Sequence, residues 1–338
     1  MRYIGSKTRI LDFIGNVVED TYGDCSNATI ADLFSGTACV GEYFKRKGAR
    51  IISNDYLYFS YAFQVAKIKI NTIPDCPISY GEAISKLNDI AGIEGFFSSQ
   101  YTLQGTENGE YKRNYFSYEN ATRIDAICIT LRQWLKEDLI NEDMFYLLSA
   151  SLVDAITKVS NTSGTYGAFL KINDARKYKP IRLEPIELSN NGKANECYCE
   201  DIFKAIEHVN GDILYLDPPY NSRQYPPYYH ILETAVLYDD PDIYGITGRR
   251  HYEDKLSPLC MKDKALPALL EIVQKARFDN IYISYSTDGI IPYKEMIDKL
   301  QAYGKVECFY RDYRRYKSND GGNLQNPLKE IIIYVEKG

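Results

Sequence analysis

The run Gly211-Asp212-Ile213-Leu214-Tyr215-Leu216, followed at once by Asp217-Pro218-Pro219-Tyr220, leaves this chain few choices. The apolar residues read as a buried β-strand, and the two prolines stop it. Each proline fixes its own φ, removes a backbone N–H and restricts the residue before it. The outcome is a stiff strand end that aims a carboxylate, two carbonyls and an aromatic ring beyond the sheet. In an open α/β sheet that region is the ligand crevice. From these four residues alone a plainer reading stays open: a Pro-Pro turn that closes a strand beside an exposed tyrosine.

One chemistry suits this set of groups. The exocyclic amine of a nucleobase has two N–H donors and a lone pair delocalised into its ring. If Asp217 and the carbonyl of Pro218 each accept one N–H, the nitrogen is held towards tetrahedral geometry. Its lone pair can then face an electrophilic methyl while Tyr220 stacks on the ring. Such catalysis is orientation and electrostatics, and it needs no strong base.

Upstream, the chain alternates strands and helices. Residues 7–20 carry Ile10, Phe13, Ile14, Val17 and Val18 at helical spacing. Thr29 to Phe34 reads as a strand, and Ser35-Gly36-Thr37-Ala38-Cys39-Val40-Gly41 leads from it into a helix. A strand, a small-residue turn and a helix bring backbone N–H groups towards a ligand, although Ala38 stands where a second glycine would be expected. A plain β-α turn has the same pattern. A second short strand, Arg50 to Asn54, ends at Asp55, 23 residues after Asp32. A βαβ unit places a ribose-binding carboxylate at about that spacing of 20 residues; a helix N-cap is the alternative for Asp55.

From residue 72 the pattern changes to loops and short helices. Two amphipathic helices follow, over 121–138 and 143–159. Residues 72–195 therefore read as an inserted, mainly helical domain, with 1–71 and 196–338 forming the α/β part. Charge is uneven along the insert: residues 72–157 hold 6 Lys/Arg and 13 Asp/Glu, whereas 158–182 hold 6 Lys/Arg and 1 Asp. Lys158, Asn161, Lys171, Arg176, Lys177 and Lys179 are candidate phosphate and base-edge contacts, with a solvated loop as the alternative. The polar stretch Asn221 to Tyr225 (Arg223, Gln224 and Tyr225 within it) and the basic, aromatic stretch 311–319 (Arg314, Arg315, Lys317) are further candidates.

A net charge of −6 argues against a basic coat over the whole surface, so nucleic acid would be met by local patches. Eight scattered cysteines without a Cys-x-x-Cys pair, and three histidines, argue against a zinc site or a disulfide framework. No metal is expected. The N-terminus has no signal-peptide pattern and no apolar run reaches membrane-spanning length, so a cytoplasmic protein with no membrane partner is expected.

Taken together, these segments resemble the alpha-group N6-adenine DNA methyltransferases of restriction-modification and Dam-like systems. The order is the same: Arg2-Tyr3-Ile4-Gly5-Ser6-Lys7, then Asp32-Leu33-Phe34-Ser35-Gly36-Thr37, then Asp55, an insert, and Asp217 to Tyr220. The resemblance implies a Rossmann-like α/β fold that binds S-adenosylmethionine, with an inserted helical target-recognition domain. By that resemblance Tyr3, Lys7, Asp32, Phe34, Gly36, Thr37, Asp55, Asp201 and Asp217 would line the cofactor site, with Lys7 near the methionine carboxylate. Asp217, Pro218, Pro219 and Tyr220 would be catalytic. The expected reaction is methyl transfer to the N6 amine of an adenine flipped out of duplex DNA, at a cost of a few kcal/mol. A monomer is expected, with any cognate restriction endonuclease acting independently. The alternatives are an N4-cytosine methyltransferase, an RNA methyltransferase, and a DNA-binding module without catalysis; the intact Asp217, Asp55 and Lys7 speak against the last.

Overall fold

A computed structural model describes residues 4–312 and 329–338. Tyr3, Arg314, Arg315 and Lys317 lie outside the described residues. The chain forms two compact units, one of Met1–Ser6, Tyr56–Asn190 and Tyr225–Lys255, the other of Lys7–Asp55, Asn191–Gln224 and Leu256–Gly338.

The second unit is built on one sheet. Its strands are β1 (Thr29–Asp32), β2 (Arg50–Asn54), β3 (Glu196–Tyr198), β4 (Ile213–Leu216), β5 (Asn280–Ser286), β6 (Gly304–Asp312) and β7 (Lys329–Lys337). They lie in the order β3-β2-β1-β4-β5-β7-β6. The first five are mutually parallel, and β7 is inserted antiparallel between β5 and β6. The central strands are apolar on both faces because both are covered. Ala31, Ile52, Leu214, Leu216, Ile281 and Ile283 form one core with the helices Ile202–His208, Lys262–Lys275 and Tyr293–Leu300. Each fully buried Leu or Ile there contributes roughly 2 kcal/mol. Helix Leu11–Thr21 lies over the opposite face, where Thr21 Oγ1 and Tyr282 Oη share a hydrogen bond of 2.7 Å. Helices on both faces of a mainly parallel sheet give a doubly wound, Rossmann-like α/β fold.

The first unit is mainly helical, with Tyr58–Gln64, Tyr80–Asp89, Tyr118–Lys136, Glu142–Val159 and Pro226–Leu237 as its principal helices. Their starts follow local chemistry: Ser79, Ser117 and Asn141 each accept a backbone N–H from three residues on. Pro226 opens its helix at a position where no donor is lost. The core joins Phe59, Phe63, Leu148, Leu152, Ile156, Ile231 and Leu232.

The expected boundaries of the insert, 72 and 195, are corrected by this division. Tyr58–Gln64 packs on Glu142–Val159 and on Pro226–Leu237, so the helical unit starts at Tyr56 and takes in residues 225–255 as well. Residues 239–262 contain a short ribbon of Ile243–Tyr244 and Arg249–Arg250. Among the described residues no helix is long and apolar enough to cross a membrane.

Candidate active site

The sheet order turns between β1 and β4, which are parallel neighbours with Asp32 opposite Tyr215. Strands on the two sides of such a switch point diverge in their connections and leave a crevice at their carboxyl ends. Asp32 ends β1 there, and Asp217 follows the last residue of β4. Between β4 and its prolines the backbone has no freedom to retract the carboxylate. Asp217 is 15% exposed, and Tyr220 is half-buried, edge-on to Tyr285 at 6.3 Å. The Tyr220 carbonyl accepts the Ile290 N–H at 3.0 Å, which fixes the chain just after the prolines.

Lys7 is carried by the 3-10 turn Lys7–Arg9 and is only 4% exposed. Its Nζ lies 3.1 Å from Asp217 Oδ1, 3.7 Å from Glu330 Oε2 and 5.4 Å from the centre of the Tyr220 ring. Burial works against the ammonium, yet the charges of Asp217 and Glu330 outweigh it and hold the Lys7 pKa above its ordinary value. The same pair acts on Asp217. Burial pushes its carboxyl up and Lys7 pulls it back, leaving a pKa of about 6. Asp32 is raised to about 8 by burial and by the negative charges of Asp217 and Asp55, against the pull of the Gly41 and Phe34 N–H groups. The crevice is thus acidic, with one buried lysine inside it.

The loop after β1 is held by a small network. Ser35 N and Oγ both donate to the Asn54 carbonyl at 3.0 Å, and Asp55 Oδ2 accepts the Gly36 N–H at 2.8 Å. Asn54 is buried and exchanges hydrogen bonds with the backbone of Glu200 on both sides of its amide. Asp32 Oδ2 accepts the Gly41 N–H at 3.2 Å, while the buried Oδ1 has no close hydrogen-bond partner among the described residues. Gly36 and Ala38 both have left-handed backbone, with φ of 51° and 58°. An L-residue there carries about 1 kcal/mol of strain, which is why glycine is expected at Ala38. Asp201 caps helix Ile202–His208 by accepting the Phe203 N–H. Phe34 and Thr37 are half-buried beside this loop.

Residues 3–298 match the D12 class N6 adenine-specific DNA methyltransferases. The chain belongs to this family. It is 43% identical over 348 residues to the type II methyltransferase M.FokI of Planomicrobium okeanokoites, a match covering 100% of this chain and 53% of that protein. It is 34% identical to the type II methyltransferase M.NlaIII of Neisseria lactamica, covering 99% and 98% of the two chains. With modification methylase LlaI of Lactococcus lactis subsp. lactis it shares 35% identity, over 100% of this chain and 55% of the relative. The chain therefore spans about half the length of M.FokI and LlaI and nearly all of M.NlaIII.

Membership in the D12 class fits what the crevice offers a cofactor. S-adenosylmethionine is cationic at its sulfonium and its amino group, a charge that Asp55 and Asp217 would suit, while Lys7 would suit a carboxylate. Gly36 and the small residues beside it let the backbone come close. Among the described residues no group of three His, Cys, Asp or Glu side chains is arranged around a metal ion.

The residues expected to meet DNA divide sharply. Lys171 and Lys179 are exposed and, with Arg182, form no ion pair among the described residues. Lys158 is exposed but paired with Asp154 and Glu184, at 2.8 and 2.5 Å, and Arg176 is paired with Asp174 at 2.7 Å. Lys158, Arg176, Lys179 and Arg182 line one open cleft of about 610 Å³. Two expectations are corrected. Asn161 is fully buried, donating to the Asn114 and Leu170 carbonyls and accepting the Asp174 N–H. Lys177 is 3% exposed, with its ammonium on Asn114 and Asn173. Both shape the loop from within.

Gln224 is also spent: its amide donates to the Ser257 carbonyl and accepts the Ser257 N–H. Arg223 is exposed, and its carbonyl accepts from Cys260 Sγ. Tyr225 is half-buried and stacks on Tyr229, with ring centres 6.2 Å apart. Sequence reasoning missed Glu330 and Asn54. An acid just ahead of the apolar run Ile331-Ile332-Ile333 was the one visible sign of Glu330.

Proposed function

We propose that this chain transfers a methyl group from S-adenosylmethionine to the N6 amine of an adenine flipped out of duplex DNA, at one short sequence. S-adenosylmethionine supplies an electrophilic methyl on its sulfonium. The chain's own part is to hold the amine. Asp217 accepts one N–H and the Pro218 carbonyl the other, so the lone pair turns out of the ring plane. Pro219 keeps both acceptors in place, and Tyr220 offers its ring face to the base. Lys7 keeps Asp217 ionised in a crevice where burial alone would protonate it. After transfer the amine sheds its proton, which Asp217 can receive. Lys171, Lys179 and Arg182, with Arg223, supply phosphate contacts that help offset the cost of extruding the base.

The reading rests on one observation above others: the strand end at the switch point presents a carboxylate held by a buried lysine, in a chain of the D12 class. The names of the relatives support a modification enzyme of a restriction-modification system, with any endonuclease a separate protein. A monomer suits one transfer per encounter. The test is methylation of unmodified genomic DNA with S-adenosylmethionine, followed by base-resolution mapping. N6-methyladenine confined to one short sequence is expected. N4-methylcytosine as the product, or no modified DNA, would overturn it.

A further inference from the structure

Glu330 makes no contact with the amine in the proposed transfer, and its position is unusual. It is the second residue of β7, the antiparallel strand inserted between β5 and β6, and its register partner on β5 is Ser286. β5 runs parallel to β4, so the Ser286 end of β5 lies at the same sheet edge as Asp217. The reversal of β7 thus brings the beginning of a strand to an edge otherwise made of strand ends. Glu330 is 8% exposed, its Oε2 has no hydrogen-bond partner among the described residues, and that oxygen lies 3.7 Å from Lys7 Nζ.

A buried ammonium stripped of its carboxylate is strongly destabilising. In the proposed reaction Asp217 must give an oxygen to the amine of the base, which weakens its hold on Lys7. With Asp217 as its single counter-ion, Lys7 would resist that change and keep the carboxylate to itself. We infer that Glu330 is a positioning residue for the methyl transfer: it takes up the Lys7 ammonium as Asp217 turns to the target amine. The inference rests on the proposed function and adds a residue to it. The step exchanges ion-pair partners, and no bond is made or broken.

The charged and titratable groups facing Asp217 are Lys7 from its 3-10 turn, Glu330 from β7, Asp32 from β1, and Tyr215 and Tyr220 from its own segment. Of these, Glu330 raises the Asp217 pKa and Lys7 lowers it. Replacing Glu330 by a neutral residue removes a negative neighbour and leaves Lys7 wholly to Asp217. Both effects favour the Asp217 carboxylate, so its titration must move to lower pH.

The test uses the full chain with Glu330→Gln, which keeps size and removes charge, and Glu330→Asp, which keeps charge. Two readouts are taken: the carbon-13 carboxyl titration of Asp217 without DNA, and single-turnover methylation of DNA across pH. For Glu330→Gln the Asp217 titration is expected at lower pH, with the rate down by on the order of tenfold to a hundredfold and S-adenosylmethionine and DNA binding little changed. Glu330→Asp is expected to restore part of the rate and the wild-type titration. An unmoved titration, or a Glu330→Gln enzyme as fast as wild type, would overturn the inference. A wild-type chain that methylates no DNA would instead sink the proposed function, and the titration would still decide whether Glu330 acts on Asp217.

Discussion

The two units of this chain handle charge in opposite ways. In the sheet unit, Lys7, Asp32, Asp217 and Glu330 are drawn into the crevice at the strand ends, and the pKa values of Lys7, Asp32 and Asp217 are shifted by burial and by their charged neighbours. In the helical unit, most of the basic residues between 158 and 182 are exposed, and two of them, Lys158 and Arg176, are neutralised locally by Asp154, Asp174 and Glu184. A charge taken out of water interacts strongly with its neighbours and is costly to strand. One left in water is worth little as a pair but remains available to a polyanion. The contrast separates a part suited to chemistry from a part suited to phosphate.

The largest effect expected on stability is that of Lys7→Met. It leaves Asp217 and Glu330 facing each other without a cation, and breaking such a pair costs roughly 3 kcal/mol. The loss should be greater at pH 8 than at pH 5, because Asp217, with a pKa of about 6, is protonated at the lower pH and the repulsion is relieved. Denaturant unfolding at the two pH values checks this, and an equal loss at both would break the contrast. Next, Lys171→Ala with Lys179→Ala should weaken DNA binding by about tenfold near physiological salt, alike for all sequences, and flatten the salt dependence by about two charges. Stability should hardly move. Binding isotherms at several salt concentrations, with a thermal melt, are the measurement.

A smaller effect is expected from pH. With Asp217 at a pKa of about 6, methylation should fall as pH drops through that value, because the protonated carboxyl cannot accept the amine hydrogen. A pH profile of kcat/KM reports that limb for the free enzyme. Smallest of all, Ala38→Gly should raise stability by about 1 kcal/mol or less, since relief of the left-handed strain is partly offset by the entropy of glycine. A shift of the unfolding midpoint in denaturant would show it.

Much of the sheet unit was legible because its signals are local. An apolar run stopped by Pro-Pro marks β4, and small residues after Phe34 mark the loop beyond β1. The acid at Asp55 falls at the right distance from Asp32, and the structure uses it to tie down Gly36. Glu330 was hidden because its place depends on an antiparallel strand pairing with β5, a long-range fact that Lys329-Glu330 does not announce. Gln224 looked like a donor awaiting a base, yet Ser257, far along the chain, takes both ends of its amide. Asn161 and Lys177 were read as surface residues because they lie in a polar stretch. Their burial comes from Asn114 and Asn173, polar partners that a hydrophobic pattern cannot reveal. The helical unit begins at Tyr56 for a similar reason: the apolar face of Tyr58–Gln64 packs on helices distant in sequence.

The central claim is that the Asp217 carboxylate, stiffened by two prolines and kept ionised by Lys7, holds the amine that receives the methyl group. Asp217→Ala tests it directly, with methyl transfer and DNA binding measured on the same preparation. The account predicts a loss of methylation on the order of a thousandfold, with DNA bound as tightly as by the wild type. Methylation retained to within about tenfold of wild type would contradict it.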